Sequence, residues 1–262
     1  MAPQPLAFDP RFEIDVIWPA ANAAYLIMSD PNPLLPAGYT LVGAIVAETQ
    51  VAAEATLAAS IVPSQLRIVH AMLAESNIFG LVAMNAGDGT ALVAIRGTQT
   101  IWDWIEDIDA IPVPYIPVPG IGLVHMGFQL VYEHIRHNVG RLLGQCAGIR
   151  RVLITGHSLG AAVAVLAGVD VVTNVTPGVT PELHTLAGPR VGAPDFAASF
   201  DATIPICFRI VNFMDVVPQV PPPPVYKHVG TEVLVHGGFK ALDVIYAHQL
   251  TTYLAGLKKL QS

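Results

Sequence analysis

RVLITGHSLGAAVAVLAGVDVV, residues 151–172, joins two apolar runs through a glycine-bearing turn. The first run, Arg151–Thr155, reads as a buried strand, and the second, Leu159–Thr173, as a buried helix. Between them Gly156-His157-Ser158-Leu159-Gly160 matches G-x-S-x-G. The pentapeptide alone is a weak signal in a chain with 22 glycines. Set between strand and helix it becomes a nucleophile elbow, with Ser158 as the nucleophile. Such a turn forces strained backbone angles on the serine. Side chains two residues to either side would clash, and Gly156 and Gly160 relieve this. The hydroxyl then projects from the carboxyl edge of a sheet, and the N-terminus of the helix favours developing negative charge. The N–H of Leu159 is placed to donate to an oxyanion.

Further out, Ile78–Asn85 and Thr90–Ile95 read as a hairpin around Ala86-Gly87-Asp88-Gly89. Ile204–Asn212 reads as another buried strand. Helices are expected over Gln129–Leu143, Pro194–Phe200 and Gln249–Leu260, the last with Leu250, Leu254 and Leu257 on one face. Strands alternating with helices give an α/β fold around a mostly parallel sheet. The proline-rich stretches Ile111–Gly120 and Pro221–Pro224 are too short for linkers, so residues 1–262 read as one domain.

Hydrophobic residues make up 53% and charged residues 13%, which excludes a disordered chain. Mean hydropathy is +0.53, yet the longest apolar helix, from Leu159 to Val169, soon meets Asp170. A membrane span needs ~20 apolar residues, so this is a buried helix and no transmembrane segment is expected. The formal charge is −7, with thirteen Lys and Arg scattered along the chain. That argues against nucleic acid and against capture by anionic lipid surfaces. Any attraction to lipid is hydrophobic. The N-terminal residues show no basic or apolar signal region, and the compartment stays open. Cys146 and Cys207 read as two buried free thiols rather than a bridge.

A serine hydroxyl needs a base, and the base an orienting carboxylate. In this setting the chain order is Ser, Asp or Glu, His. Asp215 stands out because it follows the strand ending at Asn212 and so falls at the sheet edge where the serine emerges. Asp170 falls within a helix, and Asp195 and Asp201 flank one. Among histidines, order and placement favour His248 but leave His228 open. His134 and His137 lie three apart on one helix. A third ligand is lacking, so they read as a solvated face and no metal site is expected. His125 and Arg190 read as structural. His157 is expected to point away from substrate and stays outside the catalytic set.

Six ordered blocks add a resemblance. RGTQTIWDWIEDI (96–108), VHMGF (124–128), GHSLG (156–160), AGPRVGAPDFA (187–197), NFMDVVPQVPP (212–222) and YKHVGTEV (226–233) resemble, in order, blocks of the class 3 lipase family. Its members have the α/β-hydrolase fold. The resemblance implies Ser158 as nucleophile, Asp215 as acid and His248, in AHQLTTY, as base, with His228 structural. It implies Thr98 and Leu159 as oxyanion donors. It makes residues 99–111, approximately, a lid. There Ile101, Trp104, Ile105 and Ile108 share one helical face, with Trp102 beside them. The implied activity is carboxylic ester hydrolysis, foremost of triacylglycerol at a lipid–water interface, with no cofactor. A short-chain or feruloyl-type esterase and an inactive lipid-binding relative are the alternative readings.

Overall fold

The computed structural model describes residues 7–48, 63–98, 111–238, 240 and 243–261. Seven strands form one sheet: β1 (Thr40–Val46), β2 (Ile78–Asn85), β3 (Thr90–Ile95), β6 (Arg151–His157), β7 (Glu182–Leu186), β8 (Cys207–Asn212) and β9 (Thr231–Val235), in the spatial order β1-β2-β3-β6-β7-β8-β9. The pairs β1–β2 and β2–β3 are antiparallel, and every pair from β3 to β9 is parallel. The hairpin has the bounds its sequence predicts. Its turn is held by Asn85 Oδ1 accepting from Gly87 N and Asp88 Oδ1 accepting from Thr90 N. The strand Ile204–Asn212 is shorter than expected. Pro205 has no N–H for the ladder, and pairing starts at Cys207.

Helices cover both faces. On one lie α3 (Pro63–Glu75), α4 (Met126–Leu143), α5 (Leu159–Asp170) and α6 (Pro194–Thr203). They share a core with Ala91, Val93, Ile95, Val152 and Ile154. The alternate residues Leu92, Ala94 and Leu153 point to the other face. There they meet an N-terminal run that the sequence reading left blank: α1 (Pro10–Phe12), a π-helical stretch (Glu13–Ile17) and α2 (Trp18–Leu26). Ala20, Ala23, Ala24 and Ile27 form its inward stripe, small enough to bring the helix close to the sheet. Helix α8 (Leu250–Lys259) packs through Tyr253 and Leu257 beside it. Strands buried on both faces explain why the sequence shows continuous apolar runs rather than alternation.

Several expectations change. Asp195 and Asp201 lie inside α6 rather than flanking it: Asp195 is its second residue, and the helix continues past Asp201 to Thr203. His134 is buried, with Nδ1 against Leu130 O at 2.8 Å; only His137 is exposed. The helix face that carries His134 is turned into the core. Cys207 is buried, but Cys146 is only partly so, and both are free. The proline-rich stretch forms β4 (Pro112–Pro114), paired with β5 (Leu123–His125). Tyr115 is pinned beneath it by donating to Leu166 O at 2.8 Å. Ile101, Trp102, Trp104, Ile105 and Ile108 lie outside the described residues. Among the described residues no helix is long and apolar enough to cross a membrane, and no cluster of His, Cys, Asp or Glu could hold a metal.

Candidate active site

Strand β6 delivers Ser158 to the sheet's carboxyl edge, and α5 begins at the next residue. Ser158 has φ 60° and ψ −128°, a conformation that side chains rarely adopt. Steric room explains the two glycines. A Cβ on Gly156 would sit 2.3 Å from Gly160 O, and one on Gly160 would sit 2.3 Å from Ile95 O and 2.5 Å from Arg96 O. All three obstacles are backbone, so neither position has space for a side chain. Ser158 is fully buried, and its Oγ has no hydrogen-bond partner among the described residues. Leu159 is the first residue of α5, where a backbone N–H has no partner within the helix.

Asp215 lies in the turn after β8, buried, with its N–H donating to Asn212 O at 2.9 Å. Its carboxylate takes three donors. Val217 N reaches Oδ1 at 3.0 Å, while His248 Nδ1 and Tyr253 Oη reach Oδ2 at 2.8 and 2.6 Å. A carboxylate only accepts, so Nδ1 of His248 carries a proton. In the neutral ring Nε2 is then an acceptor, and it is buried without a partner among the described residues. His248 closes the short helix α7 (Val244–His248). Asn212 holds that helix: its Nδ2 donates to Ala247 O and its Oδ1 accepts from Gly237 N, both at 2.9 Å. His228 is elsewhere, with Nε2 against Pro218 O at 2.8 Å.

Thr98 is buried just beyond β3. Its hydroxyl donates to Glu75 Oε1, and the other carboxylate oxygen of Glu75 receives Arg96 Nη1 at 2.7 Å. Arg96 is fully buried and also donates to the carbonyls of Met72, Ser76, Ile78 and Gly97. The end of β3 is thereby fastened to α3.

His157, outside the expected catalytic set, nonetheless contacts it. Its Nε2 donates to His248 O at 2.8 Å, Nδ1 meets Tyr25 Oη at 2.9 Å, and its ring lies 4.7 Å from that of His248. A cavity of about 330 Å³ beside it is lined by Tyr25, His157, Gln249, Leu250 and Thr251. Sequence reasoning missed Tyr25, Glu75, Asn212 and Tyr253. The last two stand inside blocks already quoted, a usable signal. Tyr25 and Glu75 carry none.

Residues 92–225 match the family model of Lipase (class 3). The chain belongs to the class 3 lipase family. Phospholipase A1-II 3 of Oryza sativa subsp. indica is 35% identical over 200 residues, covering 62% of this chain and 47% of the relative. The solved structure of Rhizomucor miehei triacylglyceride lipase is similar with TM-score 0.53 and 34% identity, over 59% of this chain and 60% of that one. A triacylglycerol lipase whose catalytic centre is a serine protease triad shares the fold over 86% of this chain and 79% of its own, with TM-score 0.64 and 24% identity. The fold is thus that of the α/β-hydrolases. The chain spans about half the length of the curated relatives it matches. The class 3 lipase match includes Thr98, Ser158, Leu159 and Asp215 but stops short of His248, which the tertiary structure brings to Asp215.

Proposed function

We propose that this chain is a serine carboxylic ester hydrolase acting on acyl esters of lipid, triacylglycerol first among them. One observation carries the reading. Asp215 holds Nδ1 of His248, while His248 Nε2 and Ser158 Oγ are both buried without a hydrogen-bond partner among the described residues. Buried polar atoms are normally paired. Two orphans with complementary roles, one an acceptor and one a hydroxyl, fit a site that awaits substrate.

In the proposed reaction Ser158 Oγ attacks the ester carbonyl and His248 Nε2 takes its proton. Asp215 keeps the ring in the required tautomer and stabilises the imidazolium. The tetrahedral oxyanion is met by Leu159 N–H and Thr98, each donor contributing roughly 3 kcal/mol. The hydroxyl of Thr98 turns from Glu75 toward the oxyanion, and Arg96 remains to balance the carboxylate. His248 then protonates the leaving alcohol, and water releases the acyl group by the same steps. These steps call on no metal or organic cofactor. Residues 99–111 act as the lid, and their apolar face meets the lipid surface when open. Residues 1–262 work as one domain.

The similarity to a phospholipase A1 supports a second substrate, the ester of a phospholipid. The test is a rate series on nitrophenyl esters from acetate to palmitate, on a short triglyceride across its solubility limit, and on phosphatidylcholine vesicles, with Ser158→Ala as control. Turnover lost in the variant, rising with acyl length and jumping at the solubility limit, is the expected result. No turnover on any ester, with no fluorophosphonate labelling of Ser158, would overturn the reading.

A further inference from the structure

Tyr25 and His157 have no role in the site above, yet His157 is buried and Tyr25 half-buried against it. Their hydrogen bonds can be assigned a direction. The carbonyl of His248 only accepts, so the proton on its 2.8 Å contact sits on Nε2 of His157. Burial, reinforced by His248 alongside, pulls the His157 imidazolium down to about 3, so the ring is neutral and Nδ1 bears no proton. Tyr25 Oη therefore donates to Nδ1 at 2.9 Å. Burial also pushes the Tyr25 phenol up, which keeps that proton in place. The lone pairs of the same oxygen accept from Gly97 N at 2.9 Å. The result is one directed chain: Gly97 N–H to Tyr25, Tyr25 O–H to His157, and His157 N–H to the carbonyl of His248.

This chain joins the two loops that must stay in register with the nucleophile. Gly97 carries the neighbouring Thr98. His157 is the residue before Ser158. His248 is held at its own carbonyl. Gly97 is pressed into this corner, since a Cβ there would lie 2.6 Å from Tyr25 Oη, 2.7 Å from His157 O and 3.0 Å from Ser158 Cβ.

We infer that Tyr25 and His157 are positioning residues for ester hydrolysis, fixing the backbone of His248 and the end of the oxyanion strand relative to Ser158. The inference rests on the hydrolase reading above. Neither residue exchanges a proton with substrate. Their contribution is geometric, and a misplacement of about 1 Å is enough to cost on the order of a hundredfold in rate.

The test uses the full chain and a soluble nitrophenyl butyrate. Tyr25→Phe removes the shared hydroxyl and keeps the ring. The two links of His157 separate chemically. In His157→Asn the amide oxygen replaces Nδ1 and keeps Tyr25, but the link to His248 is lost. In His157→Gln the amide N–H replaces Nε2 and keeps His248, while Tyr25 is lost. Each variant retains one of two bonds, so their thermal midpoints fall by similar amounts. Tyr25→Phe and His157→Asn are expected to lower kcat by about tenfold or more, each tenfold being about 1.4 kcal/mol, with KM within about threefold. His157→Gln leaves Gly97 on Tyr25 and keeps the bond to the carbonyl of His248, the two backbone anchors, and so recovers most of kcat. If Tyr25→Phe does not fold, the Asn and Gln pair decides. Wild-type turnover with His157→Gln no faster than His157→Asn, or with kcat near wild type in both, overturns the inference alone. A wild type that turns over no ester overturns the hydrolase reading, and the positioning role with it.

Discussion

Tyr253 Oη donates to Asp215 Oδ2 at 2.6 Å, onto the same oxygen that receives His248 Nδ1. Both side chains are buried, and they come from opposite sides of the junction between α7 and α8. The carboxylate is therefore fixed by the helix that follows the histidine as well as by its own turn. Tyr253→Phe keeps the ring and removes this bond. The loss of a hydrogen bond to a charged group is expected to lower stability by about 1.5–3 kcal/mol and kcat several-fold, read by denaturant unfolding and by initial rates. An unchanged kcat would show that Val217 N and His248 alone orient Asp215.

Ser158 pairs an unfavourable backbone with a buried hydroxyl that has no partner among the described residues. Ser158→Ala and Ser158→Gly are both expected to lack turnover. They differ in stability: glycine adopts φ 60° freely, whereas alanine retains strain of order 1–3 kcal/mol. Ser158→Gly should therefore melt above Ser158→Ala. Equal midpoints would mean that the backbone at Ser158 carries no such strain.

Gly160→Ala has no such escape. The new methyl would meet the carbonyl oxygens of Ile95 and Arg96, where β3 is paired to β6. Helix α5 must move off the sheet, at about 1–3 kcal/mol or more. A drop of several degrees in thermal midpoint, together with lost turnover, is expected. A variant as stable as wild type would contradict the close approach.

His125 and His157 are both neutral in the fold, held down to about 3 from 6.5, chiefly because burial disfavours the charged ring. Between pH 6.5 and 3 the unfolded chain binds these protons and the folded chain does not. Stability thus falls as pH falls through this window, by about 1.4 kcal/mol per pH unit for each histidine. Above it neither contributes a slope. His125 also caps α4, accepting from Phe128 N, a role asparagine fills well. His125→Asn should keep the cap and lessen the acid slope, measured as unfolding midpoint against pH. A slope equal to wild type would mean that His125 titrates alike in both states.

Glu75→Ala leaves Arg96 buried without its carboxylate. Breaking a buried pair from one side costs about 3–5 kcal/mol, and Thr98 loses its acceptor as well. Large destabilisation is the expected outcome, by calorimetry. Replacing both partners together, as in Glu75→Gln with Arg96→Met, should recover part of it. No recovery would point to the backbone carbonyls around Arg96 as the greater need.

The order of residues 151–172 already determined the elbow, because an apolar strand, a Gly-x-Ser-x-Gly turn and an apolar helix allow few other paths. The hairpin of β2 and β3 was equally plain from its turn residues. Asp215 could be picked out as the carboxylate that follows a buried strand. Local pattern suffices for these, since each depends on neighbours in the chain. It could not choose His248 over His228, for that depends on which loop Asn212 and His157 hold beside Asp215. Nor could it show Tyr25 beneath the elbow or Glu75 beneath Thr98. These residues come from distant segments, α2 and α3, that carry no motif. A hydrogen bond between such segments leaves no periodicity in either one, and only packing against the shared sheet decides that they meet.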